Sequence, residues 1–168
     1  QRNLELTEPM TPGGQTLFET VDHAETSAGR RLLSEWLTRP LRQPDVLRHR
    51  QAAVEALVGD ALAREAIADS LADTYDIERV AARAVSGSAD AEALLRVRET
   101  LAVVPNLRER IESAPELVDS PVAALFDELD LAAIADLRAE LEALADDPPS
   151  TLHGGGLIKR GHDETLDE

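Results

Sequence analysis

Apolar positions along this chain recur with helical spacing far more often than they alternate. Leu32, Leu33, Trp36 and Leu37 fall at i, i+1, i+4 and i+5, on one side of a 3.6-residue helix. Arg39-Pro40 ends that helix, because the residue before a proline is pushed out of the α region. Pro44 opens the next helix at a position where its missing N–H removes no hydrogen bond. Val46, Leu47, Ala53, Val54 and Leu57 continue as an apolar stripe, and Trp36 is expected in the core.

The same reading extends in both directions. The alternation of Leu4 and Leu6 in RNLEL suits a short strand, TPGG at 11–14 a turn, and Leu17, Phe18 and Val21 a short helix. Thr26 or Ser27 can cap the helix that carries Gly29 and Trp36. Gly59-Asp60 is a break, followed by a helix with Leu62, Ala66, Ile67 and Leu71. Ile77, Val80, Ala81 and Ala84 make another, ended by Gly87. Ser88 is expected to cap a helix carrying Leu94, Leu95 and Leu101. Pro105 is expected to start a short helix reaching Ile111, PELVDSP at 115–121 to be a linker, and 122–144 to be helical, with Leu131, Ile134, Leu137, Leu141 and Leu144 on one stripe. DDPPS ends it, HGGGLIKRG is a loop, and Asp163 can cap a last helix. No fixed-period repeat is evident. The fold class is all-α with short extended ends.

Charge changes the picture most. Seventeen basic residues oppose thirty-three acidic ones, for a net charge of −16, and Lys159 is the only lysine. Such a surface repels phosphate backbones and anionic lipid. The carboxylates run from Glu5 to Glu168, which favours adaptation to a salty cytoplasm, where a Debye length of about 3 Å at molar salt nearly abolishes self-repulsion. There is no cysteine, so disulfides are excluded and zinc loses its commonest ligand. No segment reaches membrane-spanning length, and a cytoplasmic protein fits. Beginning at Gln1 and stopping in DETLDE, the chain reads as part of a longer protein.

Candidate chemistry is thin. GGGLIKR at 154–160 places glycines ahead of a lysine, but Ile158 and Arg160 stand where a phosphate loop needs glycine and a hydroxyl, so a turn is the better reading. His23, His49, His153 and His162 contain no pair at i, i+4 spacing. DELD at 127–130 and DETLDE at 163–168 lack the glycine and spacing of a calcium loop. No nucleophile elbow is present. Arg30, Arg31, Arg39, Arg42, Arg48 and Arg50 form the one basic cluster, better read as pairing with carboxylates within a bundle than as a nucleic-acid surface. No catalytic, cofactor-binding or metal residue is assigned.

Four stretches in order resemble the core (lever) domain of the MutS family of DNA mismatch-recognition ATPases. They are RNLEL with TLFETVDHAETSAGRRLLSEWLTRPL at 16–41, LRHRQAAVEAL at 47–57, YDIERVAARAVSGSADAEALLRVRETL at 75–101, and GGLIKRGHDETLDE at 155–168. The resemblance covers essentially the whole chain and is similar in tone to haloarchaeal proteins. It implies a lead-in strand and turn at 1–15, a first helical part at 16–115, and a second helical part at 116–168 that begins the lever. The implied role is structural: coupling mismatched-DNA binding to the ATPase of the full-length protein. That parent would use ATP and magnesium and meet mismatched duplex DNA, a second MutS subunit and MutL. The family's Phe-x-Glu motif, DNA clamp and Walker A loop have no counterpart here, so this segment is expected to hold no cofactor and not to be an enzyme. Two alternatives stand beside it: the core of a MutS paralogue with a non-repair role, and a free-standing acidic helical adaptor for a basic partner. In the fragment reading, this piece by itself binds no nucleic acid or membrane, and faces around 122–144 and Leu157-Ile158 are expected to stay open, so that the piece self-associates or leaves Leu137 and Leu144 partly exposed.

Overall fold

Short oxygen-bearing side chains set most of the helix starts. In the computed structural model, which describes residues 5–149, 155–162 and 165, the chain forms α1 (Leu17–Val21), α2 (Ser27–Thr38), α3 (Pro44–Gly59), α4 (Ala61–Ala72), α5 (Ile77–Val85), α6 (Ala91–Ser113), α7 (Pro121–Ala124), a 3-10 helix (Leu125–Glu128) and α8 (Leu131–Leu141). Thr16, Thr26, Asp60, Asp76, Asp90, Ser120 and Asp130 each accept a hydrogen bond from a first-turn N–H of the helix they precede. Each such cap is worth about 1 kcal/mol, and the aspartates also complement the helix dipole. Part of the acidic excess is therefore structural. The helix after Gly87 is capped by Asp90 and not by Ser88, whose hydroxyl turns back to the Arg83 carbonyl.

The described residues are helical and contain no strand. Of the expected RNLEL strand, Arg2–Leu4 lie outside the described residues. Glu5 and Leu6 are in turn and bend, with Glu5 at φ 47°. Their carbonyls accept from the N–H groups of Leu17 and Phe18, both at 2.9 Å. The segment caps α1 from outside, satisfying donors that a helix start leaves free. The TPGG turn forms as expected, with Gly13 at φ 80° and Gly14 N–H on the Thr11 carbonyl at 2.9 Å.

The 23-residue α6 is the spine. Its first half buries Ala93, Val97 and Leu101 with Val80 of α5, against Ile134 and Leu141 of α8. Its second half leads through Ile111 into Ala114, Leu117 and Val122, packed on Ala53, Ala56 and Leu57 of α3 and Ala63 and Ile67 of α4. Helix α6 does not break at Pro105, which sits inside it. A proline there removes one i to i−4 bond, and the apolar contacts on both sides of it hold the helix through the gap.

Three further expectations are corrected. The 115–121 stretch is no linker: Leu117 is fully buried (0% exposed), and the turn around it seals the second cluster. The 122–144 run is broken at Leu129-Asp130, where Asp130 restarts the chain as α8. Leu144 is closed (5% exposed), because it forms an isolated antiparallel bridge with Ile158, flanked by Ala145 N–H on the Leu157 carbonyl and Lys159 N–H on the Ala143 carbonyl. Leu137 is open, as expected (43%). Asp163, expected as a helix cap, lies outside the described residues.

Candidate interdomain surface

Among the described residues many large apolar side chains are exposed, Leu47, Val54, Val58, Leu62 and Val85 among them, and their distribution is uneven. Helix α3 carries apolar residues on two faces. Ala53, Ala56 and Leu57 turn to the core, whereas Leu47, Val54 and Val58 turn to solvent. With Gln51, the outer set falls at i, i+4, i+7 and i+11, the spacing of a helix-packing seam. The end of α2 and the corner after it supply Trp36, Pro40 and Leu41 as a second wall, and the groove between has a volume of about 500 Å³.

Trp36 is the residue most at odds with its sequence pattern. It is 38% exposed and lies at the rim of this groove, not in the core. The Arg50 guanidinium stands over its indole, 3.6 Å from the ring centre, a cation–π contact across the corner. An apolar stripe shows that a face is to be covered; it does not say whether this chain or another segment covers it.

The α2 arm is held on the bundle by charge more than by packing. Arg31 forms a forked ion pair with Asp76, the cap of α5, and its Nη2 donates to Glu78 at 2.7 Å. Ser27 Oγ adds a long bond to Asp76 at 3.5 Å. The guanidinium of Arg31 holds the Asp76 carboxyl below its ordinary range, helped by the Arg79 N–H. The carboxylates in turn raise Arg31.

In the first half of α6, Arg98 reaches Asp146 at 3.4 Å, and Lys159 meets the same carboxylate at 3.2 Å. Lys159 first, then Arg98, lowers the Asp146 pKa. The two cations tie the spine to the paired segments around Leu144 and Ile158. The lysine of GGGLIKR is therefore engaged in an ion pair, while Gly155 and Gly156, at φ 71° and 76°, make the turn.

The remaining candidates are scattered. Of the six clustered arginines, Arg30 pairs with Asp22 at 2.9 Å, Arg39 with Glu35 at 3.7 Å and Arg48 with Asp45 at 2.8 Å, Arg31 reaches Asp76 and Glu78 across the bundle, and Arg50 stands over Trp36. Arg42 is exposed. His23, His49 and His162 are exposed and far apart in sequence, and His153 lies outside the described residues. Among the described residues no three His, Cys, Asp or Glu side chains gather as a metal site would need. DELD is exposed, with Asp130 serving as a cap. Of DETLDE only Thr165 is described. No helix among the described residues is long and apolar enough to cross a membrane. The sequence reading missed the roles of Asp76 and Asp146; the cap position of Asp76 before IERV was the one available signal.

Comparison with known proteins gives a consistent result. Residues 1–166 match the family model described as MutS domain III. The chain is 54% identical over its full length to DNA mismatch repair protein MutS 1 of Halobacterium salinarum, and 51% identical to that of Haloarcula marismortui. It is 40% identical to DNA mismatch repair protein MutS of Brevibacillus brevis. It spans 20%, 18% and 19% of these three proteins, about a fifth of each relative's length.

Proposed function

The chain belongs to the MutS family, as its domain III, and from that premise we propose that it is the structural core coupling mismatched-DNA binding to ATP hydrolysis in a full-length MutS-type protein. The observation that carries this reading is α6. One continuous helix enters both apolar clusters, and two ion-paired attachments join its first half, Arg31 with Asp76 through α5 and Arg98 with Asp146 and Lys159. Packed helices with discrete arrangements pass a displacement on without dissipating it. In this reading residues 1–15 lead in, 16–115 form the first helical part, and 116–168 begin the lever. The segment supplies geometry and no catalytic group. ATP and magnesium, mismatched duplex DNA, a second MutS subunit and MutL are met by the parent protein.

The test uses the full-length protein carrying Arg31→Ala with Asp76→Ala. Basal ATP hydrolysis and mismatch binding are expected to persist, while stimulation of hydrolysis by mismatched DNA falls several-fold. Undiminished stimulation, in a protein whose α2 is shown by hydrogen exchange to be loosened, would remove this path from the coupling.

A further inference from the structure

We propose that the cleft between α6 and α8 is a docking site for a basic amphipathic helix of a separate protein. The helix lays its apolar face on the cleft floor and turns its arginines or lysines to the carboxylates around the rim. The proposal goes beyond the domain III reading and does not depend on the coupling role. Helix α8 packs on the Val97 and Leu101 cluster through Ile134 and Leu141. Beside that contact lies a cleft of about 560 Å³, floored by Leu101, Val104 and Pro105 of α6 and by Leu131, Ile134 and Ala135 of α8. Its walls reach from Leu101 to Glu112 and from Leu131 to Glu142. At 1.5 Å per residue each runs about 16 Å, the length of three helical turns. An extended peptide would need a backbone edge to pair with, and two helices offer none. Pro105 also has no N–H to give the Leu101 carbonyl, so the α6 wall carries an acceptor that an unbroken helix would have used.

Charge selects the sign of the occupant. From Glu109 to Asp147 the chain has twelve carboxylates and two arginines, a net charge of −10 out of −16 for the whole. At the cleft itself Arg108 is held by Glu112 at 2.6 Å and Arg138 faces Glu142 at 3.9 Å, while Glu109 stands exposed at the rim. A second copy of the chain would bring another −16 to this place, and a phosphate backbone is repelled from it. A permanent cover from the same polypeptide would meet a surface like a domain core cut in half. Five of the twelve residues lining this cleft are charged, the make-up of a face that a partner occupies part of the time. At molar salt the Debye length is about 3 Å, so the apolar floor then retains the partner and only contact pairs select it.

The full-length protein titrated with a labelled synthetic helix tests this. The peptide has about 15 residues, with leucines at i, i+4, i+7 and i+11 and arginines on both flanks. In about 1 M potassium chloride, fluorescence anisotropy is expected to give a Kd below about 100 µM. A peptide with glutamates in place of the arginines is expected to bind at least tenfold more weakly. Ala135→Arg, at an exposed position on the cleft wall, is expected to weaken the basic peptide at least tenfold and to leave the thermal midpoint unchanged. Should that variant not fold, Glu109→Lys decides, with an expected loss of at least threefold. A Kd above about 1 mM, equal binding of the acidic or a scrambled peptide, or an affinity unmoved by the substitution overturns the proposal. A benzophenone amino acid at Ala139 is expected to link to the added peptide. An intramolecular link to a segment outside these 168 residues would show that the protein covers the cleft itself, and overturns it too. Mismatch-stimulated ATP hydrolysis of the unmodified protein is read separately. Its absence would sink the coupling role while leaving the peptide result intact.

Discussion

The guanidinium of Arg50 lies 3.6 Å from the centre of the Trp36 ring, joining the last turn of α2 to the second turn of α3 across the Arg39-Pro40 corner. The contact stands where two apolar faces meet without closing over each other. It lets a tryptophan remain 38% exposed beside solvent while still fixing the angle of the corner. The corner is therefore a wall of the groove as well as a connection.

Trp36→Ala should destabilise the chain by about 1–2 kcal/mol, well short of the 3–5 kcal/mol expected for a fully buried aromatic. In a double-mutant cycle with Arg50→Ala, the coupling should be about 0.5–1 kcal/mol. Chemical denaturation followed by circular dichroism supplies all four stabilities. A loss above 4 kcal/mol for the tryptophan alone would place it in a core that the groove geometry denies.

Leu117→Ala should be among the most damaging single changes, at about 3–5 kcal/mol. Leu117 is fully buried between Ile111, Ala114 and Val122, and the surrounding turn has little freedom to collapse onto a cavity. Denaturation midpoints of this variant and of Leu137→Ala make the comparison. Leu137 is open, so its truncation should cost under about 1 kcal/mol. Equal losses at the two leucines would contradict the burial pattern.

These two residues show where sequence reasoning succeeds and where it stops. The Arg39-Pro40 corner, the Thr26 cap, the break at Gly59-Asp60 and the Gly87 stop are legible because proline, capping oxygens and positive φ act within a few residues. Pro105 is read as a helix start on the same local logic, yet α6 runs through it because contacts on either side come from α8 and α4. Leu117 looks like linker for the complementary reason: its segment lacks periodicity, and its burial comes from α3, α4 and α7. The groove is half legible. Its apolar residues stand out, but only the packing of Ala53, Ala56 and Leu57 reveals that a second face of α3 is left over.

Pro105→Ala should stabilise the chain, by about 2–2.5 kcal/mol. Alanine restores an N–H facing the Leu101 carbonyl and removes a ring whose helix-interior penalty is roughly 3 kcal/mol. Part of that gain is offset by about 0.4–1 kcal/mol, because alanine frees the unfolded chain. Thermal unfolding should show a higher midpoint. A lower one would mean that the proline ring itself is required by the packing of α8 on α6.

Acid should loosen the α2 arm before the core. The folded-state pKa of Asp76 is depressed, first by Arg31, so its contribution is fully present above the ordinary aspartate value of 3.8. It is lost as pH falls through the lowered folded value, since protonation then favours the detached state. Carboxyl titration by NMR should place Asp76 below most other aspartates, and Arg31→Met should move it upward. The same substitution should shift acid-induced exposure of α2 amides to higher pH. An Asp76 titration unchanged by Arg31→Met would show that its other donors, the Arg79 N–H and Ser27, hold the carboxylate without the guanidinium.

Salt acts on two opposing terms, and their sizes decide the sign. Screening weakens attractive ion pairs, such as Arg48 with Asp45 at 2.8 Å, where the side chains are 73% and 93% exposed. Exposed pairs of this kind contribute only about 0–1 kcal/mol each, and several contribute nothing measurable. Screening also weakens the mutual repulsion of a net charge of −16, a many-body term with contributions from every uncompensated carboxylate. The Debye length falls from about 10 Å at 0.1 M to about 3 Å at 1 M, shorter than most separations on the surface. Repulsion over many distances is removed, while the closest pairs keep part of their attraction. The thermal midpoint should therefore climb with potassium chloride from 0.1 M to beyond 1 M. Arg31→Met and Asp76→Asn should lower the midpoint at every salt concentration without changing its slope by much, because one pair is a small part of the total field. A midpoint that falls with salt in the parent chain would mean that the ion pairs outweigh the net charge.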